Sequence, residues 1–170
     1  LPICGQDLQM DLRAMLPKMI SCQAYRGRIM PTVWYDEKCA IGMANLHNAA
    51  FISSHFNNDV QTPKAEKGIS GIHAFVDGII LDVPQHARYF ANNGCDVHSL
   101  DCSTILSHAY IEWGMEFMDH LSGEFSCAIW DERTQRLILA RDAYGKKPLH
   151  YYYKGKGLVF SSEIKGIIGA

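Results

Sequence analysis

The chain has 170 residues, of which 48% are hydrophobic and 20% charged, with a formal net charge of −2. That length and balance fit one globular domain able to bury a core of its own. Lys and Arg are scattered, so no basic stripe exists to attract a nucleic acid or an anionic membrane surface, and no apolar run reaches the length of a membrane span. The six cysteines (Cys4, Cys22, Cys39, Cys95, Cys102, Cys127) form no CxxC pair and no tetrahedral set with His. This spacing points to a reduced, cytoplasmic protein without a metal site.

In chain order, Asp7 to Ser21 carries Leu8, Leu12, Met15, Leu16 and Met19 at helical spacing around Pro17, which predicts a short or kinked helix. Thr32–Tyr35 and Cys39–Met43 flank Asp36-Glu37-Lys38 as strand, turn and strand. Ala49 to Lys67 reads as a surface loop. Ile69 to Leu81 is apolar and β-branched and contains Asp77-Gly78, a turn signal that predicts two strand pieces meeting at a tight bend. Pro84 opens a helix over Gln85 to Asn92 that Gly94 closes. A second helix runs from about Ser103 to Trp113, capped by Asp101 or Ser103 and stopped by Gly114. Phe125–Trp130 and Leu137–Asp142 are strands joined by a polar turn, and Pro148–Tyr153 and Gly157–Ser161 repeat the pattern around Lys154-Gly155-Lys156. Helices grouped before strands argue for an α+β fold with antiparallel sheets.

Three ordered segments then carry a resemblance: Leu121-Ser122-Gly123-Glu124-Phe125 through Asp131, Leu139-Ala140-Arg141-Asp142 through Tyr151, and Phe160-Ser161-Ser162-Glu163-Ile164-Lys165. Together they resemble the class II glutamine amidotransferase domain of asparagine synthetases. Ala74–Ile80 is similar to that family's Phe-Asn-Gly-Glu-Ile segment, and Asp101–Leu106 to its Ser-Asp segment. Tyr25-Arg26-Gly27 and Gly42–Leu46 are fainter echoes of His-Arg-Gly-Pro and Gly-His-Arg-Arg-Leu. The resemblance implies an N-terminal-nucleophile hydrolase-like fold, α+β, a four-layer αββα sandwich of two antiparallel sheets. It also implies release of ammonia from glutamine for an ATP-using synthetase part, so residues 1–170 are expected to be the N-terminal part of a longer protein or complex.

The chemistry departs from that pattern at several positions. The family's nucleophile is an N-terminal cysteine activated by its own α-amine. Cys4 would fill that role only after loss of Leu1-Pro2-Ile3. The family's oxyanion hole pairs an Asn amide with the next Gly N–H, whereas this chain has Asp77-Gly78. An ionised carboxylate accepts hydrogen bonds and donates none. Ala44 and Asn45 stand where an Arg would grip the substrate carboxylate, with Arg26 or Arg28 as the substitutes a neighbouring loop could offer. Asp101, or Cys102 in another alignment, matches the family's amino-group partner, although an Asp just before a helix is also an ordinary N-cap. Arg141-Asp142 and Lys146-Lys147-Pro148 are assigned to structure, and His108, His120 and His150 to solvated or hydrogen-bonded imidazoles.

The resulting expectation is a catalytically degenerate glutaminase-like domain, as in β-lactam synthetase-type enzymes, acting as scaffold for a C-terminal or separate synthetase part. Asp77, Gly78 and Asp101 would form a remnant glutamine pocket. No cofactor is expected in this domain; ATP and magnesium belong to the attached synthetase part. Homo-oligomerisation stays open. Two alternatives remain beside it: an active amidotransferase using Cys4 after processing, and a module that binds a small amino acid.

Overall fold

A computed structural model describes residues 12–26, 32–36, 41–45, 71–97, 99–154 and 157–170. They divide into two units, Lys64–Lys147 and Leu1–Pro63 with Pro148–Ala170. The α+β reading holds in both, and every strand pair among the described residues is antiparallel.

The Lys64–Lys147 unit is built on one three-stranded sheet, in the order β3 (Ile72–Ile80), β4 (Gly123–Asp131), β5 (Arg136–Arg141). Val76 lies opposite Cys127 and Cys127 opposite Ala140, so alternate residues of the three strands share a face. Ile72, Val76, Ile80, Phe125, Cys127, Ile129 and Ile138 bury that face in the hydrophobic core. Helices α2 (Val83–Asn92), α3 (Cys102–Trp113) and α4 (Phe117–His120) supply Phe90, Ile105, Leu106, Ala109 and Phe117 to the same core. Seven consecutive α3 residues, Thr104 to Tyr110, are buried, so that helix is enclosed on every side.

The two helices of this unit predicted from sequence appear within a residue or two of the expected bounds. Pro84 sits in the first turn of α2 and Gly94 follows its end in a left-handed conformation at φ +84°. Asp101 caps α3 and Gly114 stops it at φ +58°.

The bend expected at Asp77-Gly78 is not there. β3 runs unbroken for nine residues, with Asp77 opposite Ser126 and Gly78 opposite Phe125. Asp-Gly is a turn signal only when the chain must reverse; here the long apolar partner β4 supplies a ladder for both residues. Glycine is nevertheless required. Gly78 holds φ +126°, and a Cβ on it would lie 2.1 Å from the Glu124 carbonyl oxygen. Gly123 answers from the facing strand, where a Cβ would lie 2.2 Å from the Ile79 carbonyl oxygen. Two glycines on opposite strands thus let the backbones approach at the end of the β3–β4 ladder.

A buried polar group closes the other end. Asp131, 1% exposed, accepts hydrogen bonds from the Tyr110 hydroxyl at 3.1 Å, the Arg133 backbone N–H at 2.9 Å and Arg133 Nε at 3.0 Å. Burial opposes ionisation of this carboxyl, but the hydrogen bonds from Arg133, Thr134 and Tyr110 outweigh it and lower its pKa.

The second unit contains α1 (Leu12–Ser21), the hairpin-like pairs β1 (Thr32–Asp36) with β2 (Ile41–Asn45) and β6 (His150–Lys154) with β7 (Gly157–Ser161), and α5 (Ile164–Ile168). α1 continues through Pro17 and packs on α5 and β2, while α5 packs on β6 and β7. Lys165 lies over the Tyr25 ring at 5.0 Å. The expected loop Ala49–Lys67 lies outside the described residues.

Gly78→Ala should cost roughly 3 kcal/mol, since it combines a disfavoured φ with a backbone collision. Gly94→Ala, where nothing lies within 4 Å of the added Cβ, should cost only about 1 kcal/mol. Urea unfolding of both variants measures the difference, and equal losses would mean that the close approach is relaxed at no cost.

Candidate functional site

The face of the sheet opposite the helices carries a row in cross-strand register: Asp77 on β3, Ser126 on β4 and Arg141 on β5. Asp77 is half-buried and Ser126 buried. Beside the row, the Glu124 carboxylate pairs with Lys146. Sequence reading placed Asp77 in a site but missed Ser126 and assigned Arg141 to structure alone. Their common row follows only from the β3–β4–β5 register, which the strand alternation could have supplied once Asp77-Gly78 was read as strand.

The loop after β5 is fixed by Asp142. Its buried carboxylate accepts from the backbone N–H groups of Tyr144 at 3.0 Å, Lys146 at 3.1 Å and Lys147 at 3.2 Å. Burial disfavours the charged form, yet these hydrogen bonds lower the pKa of the group. The same loop brings Gly145 against the Arg141 guanidinium, 3.2 Å from Cζ to a Cβ built on the glycine. Arg141-Asp142 therefore has the structural role read from sequence, and it also sets where the cation of the row can go.

Asp101 stands at the start of α3. Its carboxylate accepts from the Thr104 N–H at 2.9 Å and the Thr104 hydroxyl at 2.8 Å, an N-cap reinforced by a side chain. Next to it, Cys102 Sγ accepts from the Ile80 N–H at 3.4 Å, which joins the start of α3 to the end of β3. The Asp77-Gly78 segment and the Asp101 cap thus lie toward the same end of β3. Their carboxylates do not share a face, because Asp77 points away from the helices. A paired-carboxylate acid–base arrangement is not what this geometry provides. Two accepted hydrogen bonds leave the Asp101 carboxylate with further lone-pair capacity, so capping and ligand contact are compatible.

Of this unit's described thiols, Cys102 and Cys127 are shifted away from activation. Burial raises the pKa of Cys102, with the Ile80 hydrogen bond opposing and the Asp101 charge adding to the rise. Burial pushes the Cys127 thiol up to about 12. A nucleophilic cysteine needs the reverse shift. Cys4 lies outside the described residues, as do Cys39 and Arg28. Ala44 and Asn45 lie on β2, opposite Val33 and Thr32. Among the described residues no group of His, Cys, Asp and Glu is placed to hold a metal, and no helix is long and apolar enough to cross a membrane.

The sequence profile of the glutamine amidotransferase domain family matches residues 54–169. The chain belongs to that family. Its antiparallel sheets with helices are consistent with the α+β sandwich of N-terminal-nucleophile hydrolase-like amidotransferases. Amidase chry2 of Gibberella zeae is 32% identical over 145 residues, 85% of this chain and 21% of that protein. The glutamine-hydrolyzing asparagine synthetase 3 of Bacillus subtilis is 47% identical over 64 residues, 38% of this chain and 10% of that protein. Amidase chyE of Penicillium rubens is 35% identical over 99 residues, 58% of this chain and 15% of that protein. This amidotransferase domain therefore spans about a tenth to a fifth of the length of these relatives.

Asp101→Ala should lower the stability of the amidotransferase domain by about 1 kcal/mol, and Asp101→Asn by much less, because Asn also caps. Thermal unfolding of the two variants checks this, and an Ala variant as stable as the parent would remove the cap from the account.

Proposed function

We propose that this domain is a catalytically degenerate glutaminase that serves as scaffold for an ATP-dependent, amide- or lactam-forming synthetase part. The observation that carries the proposal is Asp77. By the sequence resemblance it matches the family's oxyanion-hole donor, and it lies inside a continuous strand whose next residue, Gly78, is pinned against the Glu124 carbonyl. An ionised carboxylate there would repel the oxyanion, and loss of one such donor alone costs about a hundredfold or more in rate. Ala44 and Asn45 in place of a substrate-gripping Arg support the same reading. Asp77, Gly78 and Asp101 are then a remnant of the glutamine pocket. ATP and magnesium belong to the synthetase part, and the greater length of the relatives supports its existence. In this reading the domain works in the cytoplasm.

A second reading, an active amidotransferase with Cys4 exposed by processing, draws support from the 85% of this chain that aligns with a protein named an amidase. A module binding a small amino acid would use the residual acceptor capacity of Asp101. Ammonia release from glutamine separates these readings, assayed on the purified chain, on a form trimmed to begin at Cys4, and on Cys4→Ala. The degenerate reading expects no release above the blank from any of the three. Release from the trimmed form that disappears in Cys4→Ala would establish the active reading instead. Thermal stabilisation by glutamine without turnover would favour the binding module.

A further inference from the structure

The helices of the Lys64–Lys147 unit carry charge of one sign. Between residues 82 and 120 the sequence holds six acidic residues, Asp82, Asp96, Asp101, Glu112, Glu116 and Asp119, against one basic residue, Arg88, whereas the whole chain is nearly balanced at 18 acidic and 16 basic. All six of these acidic residues are exposed. Glu112 stands in the last turn of α3, where no basic residue offsets it, and Glu116 and Asp119 follow in the next segment. The end of a helix is the negative end of its dipole and favours cations. Glu112 therefore runs against the local preference.

Apolar side chains are exposed among these charges. Ile111 and Met115 are 41% and 64% exposed, and Tyr89 on α2 is 42% exposed. The Tyr89 hydroxyl reaches the Glu112 carboxylate at 3.5 Å, and its ring lies 5.6 Å from the Trp113 indole. His120 stacks on that indole at 4.2 Å and His86 meets it edge-on at 6.3 Å. One connected surface thus runs from Tyr89 through Glu112 and Trp113 to His120, with Ile111 and Met115 in the same stretch of chain.

We propose that this surface, formed by α2, α3 and the Gly114–His120 segment, docks an amphipathic, arginine-rich segment of a partner protein.

Charge selects the occupant. A guanidinium pairs with a carboxylate through two parallel hydrogen bonds and stacks on aromatic faces, and Tyr89 and Trp113 stand beside Glu112. Apolar residues of the same segment cover Ile111 and Met115, which a purely cationic ligand would leave in water. A nucleic acid or an anionic membrane is repelled by the same field. Two copies meeting through this face in a two-fold dimer would bring its carboxylates against each other. Among the described residues no group of His, Cys, Asp and Glu is placed to hold a metal, so a bound cation is not the ligand either. The inference is independent of glutamine hydrolysis, because the Asp77 row lies on the face of the sheet opposite the helices.

The test is titration of the intact chain, followed by amide NMR, with a synthetic amphipathic peptide of Arg and Leu. The same peptide with Glu for Arg, and an Arg–Gly peptide without apolar residues, serve as controls. The shifts should centre on residue 89 and residues 111–119, and affinity should fall severalfold as salt is raised from about 0.05 M to about 0.5 M. Glu112→Lys combined with Glu116→Lys and Asp119→Lys should weaken binding about tenfold or more, and Ile111→Ser with Met115→Ser severalfold. Glu163→Lys, in the other unit, should leave it unchanged. The Arg–Gly peptide should bind more weakly than the Arg–Leu peptide, and the Glu peptide not at all. No binding, a shift map centred elsewhere, or equal binding by the triple variant would overturn the proposal. So would self-association of the parent chain that the triple variant abolishes, because the occupant would then be a second copy.

Discussion

The close approach of the β3 and β4 backbones at Gly78 and Gly123 is the constraint on which the rest of the Lys64–Lys147 unit depends. With a Cβ excluded to 2.1 and 2.2 Å from opposing carbonyl oxygens, the two strands meet in one register only. A slip of β3 by one residue against β4 would turn Ile72, Val76 and Ile80 out of the core and bring Asp77 into it. That same register fixes the row Asp77–Ser126–Arg141 on the face away from the helices. It also places the end of β3 where the Ile80 N–H reaches Cys102 at the start of α3.

The chemistry follows from which groups this frame presents. A donor at position 77 could pair with the Gly78 N–H, whereas an ionised carboxylate offers acceptors alone. Cys102 and Cys127 are held as thiols by burial, Cys127 most strongly. What remains well built is structural. Asp131 is satisfied by Tyr110 and Arg133, Asp142 by three backbone N–H groups, and Asp101 by both polar groups of Thr104.

Much of this was legible in the sequence, because local signals and tertiary demands agree over most of the second half. Pro84 and Gly94 bracket α2, Asp101 and Gly114 bracket α3, and the apolar runs from Phe125 to Trp130 and from Leu137 to Ala140 on either side of a polar turn mark two strands. Asp77-Gly78 failed because local turn propensity was set against a nine-residue strand partner more than forty residues away, and the partner prevailed. Ser126 and Arg141 were not visible as neighbours of Asp77, since a cross-strand row exists only once three strands are in register. The His86–Trp113–His120 contact joins residues from three helices with no spacing pattern to announce it. Cys4 and the segment Ala49–Lys67 stand outside the described residues.

The central claim is that glutamine chemistry has been lost while the family's architecture is kept. Its most direct test is covalent trapping: incubate the chain, with Cys4 made N-terminal, with an electrophilic diazoketone analogue of glutamine and record the intact mass. The account predicts no stoichiometric adduct under conditions in which an active glutaminase is fully labelled. A single adduct per chain mapped to Cys4 and prevented by excess glutamine would contradict it, because it would demonstrate both an activated thiol and a working glutamine pocket.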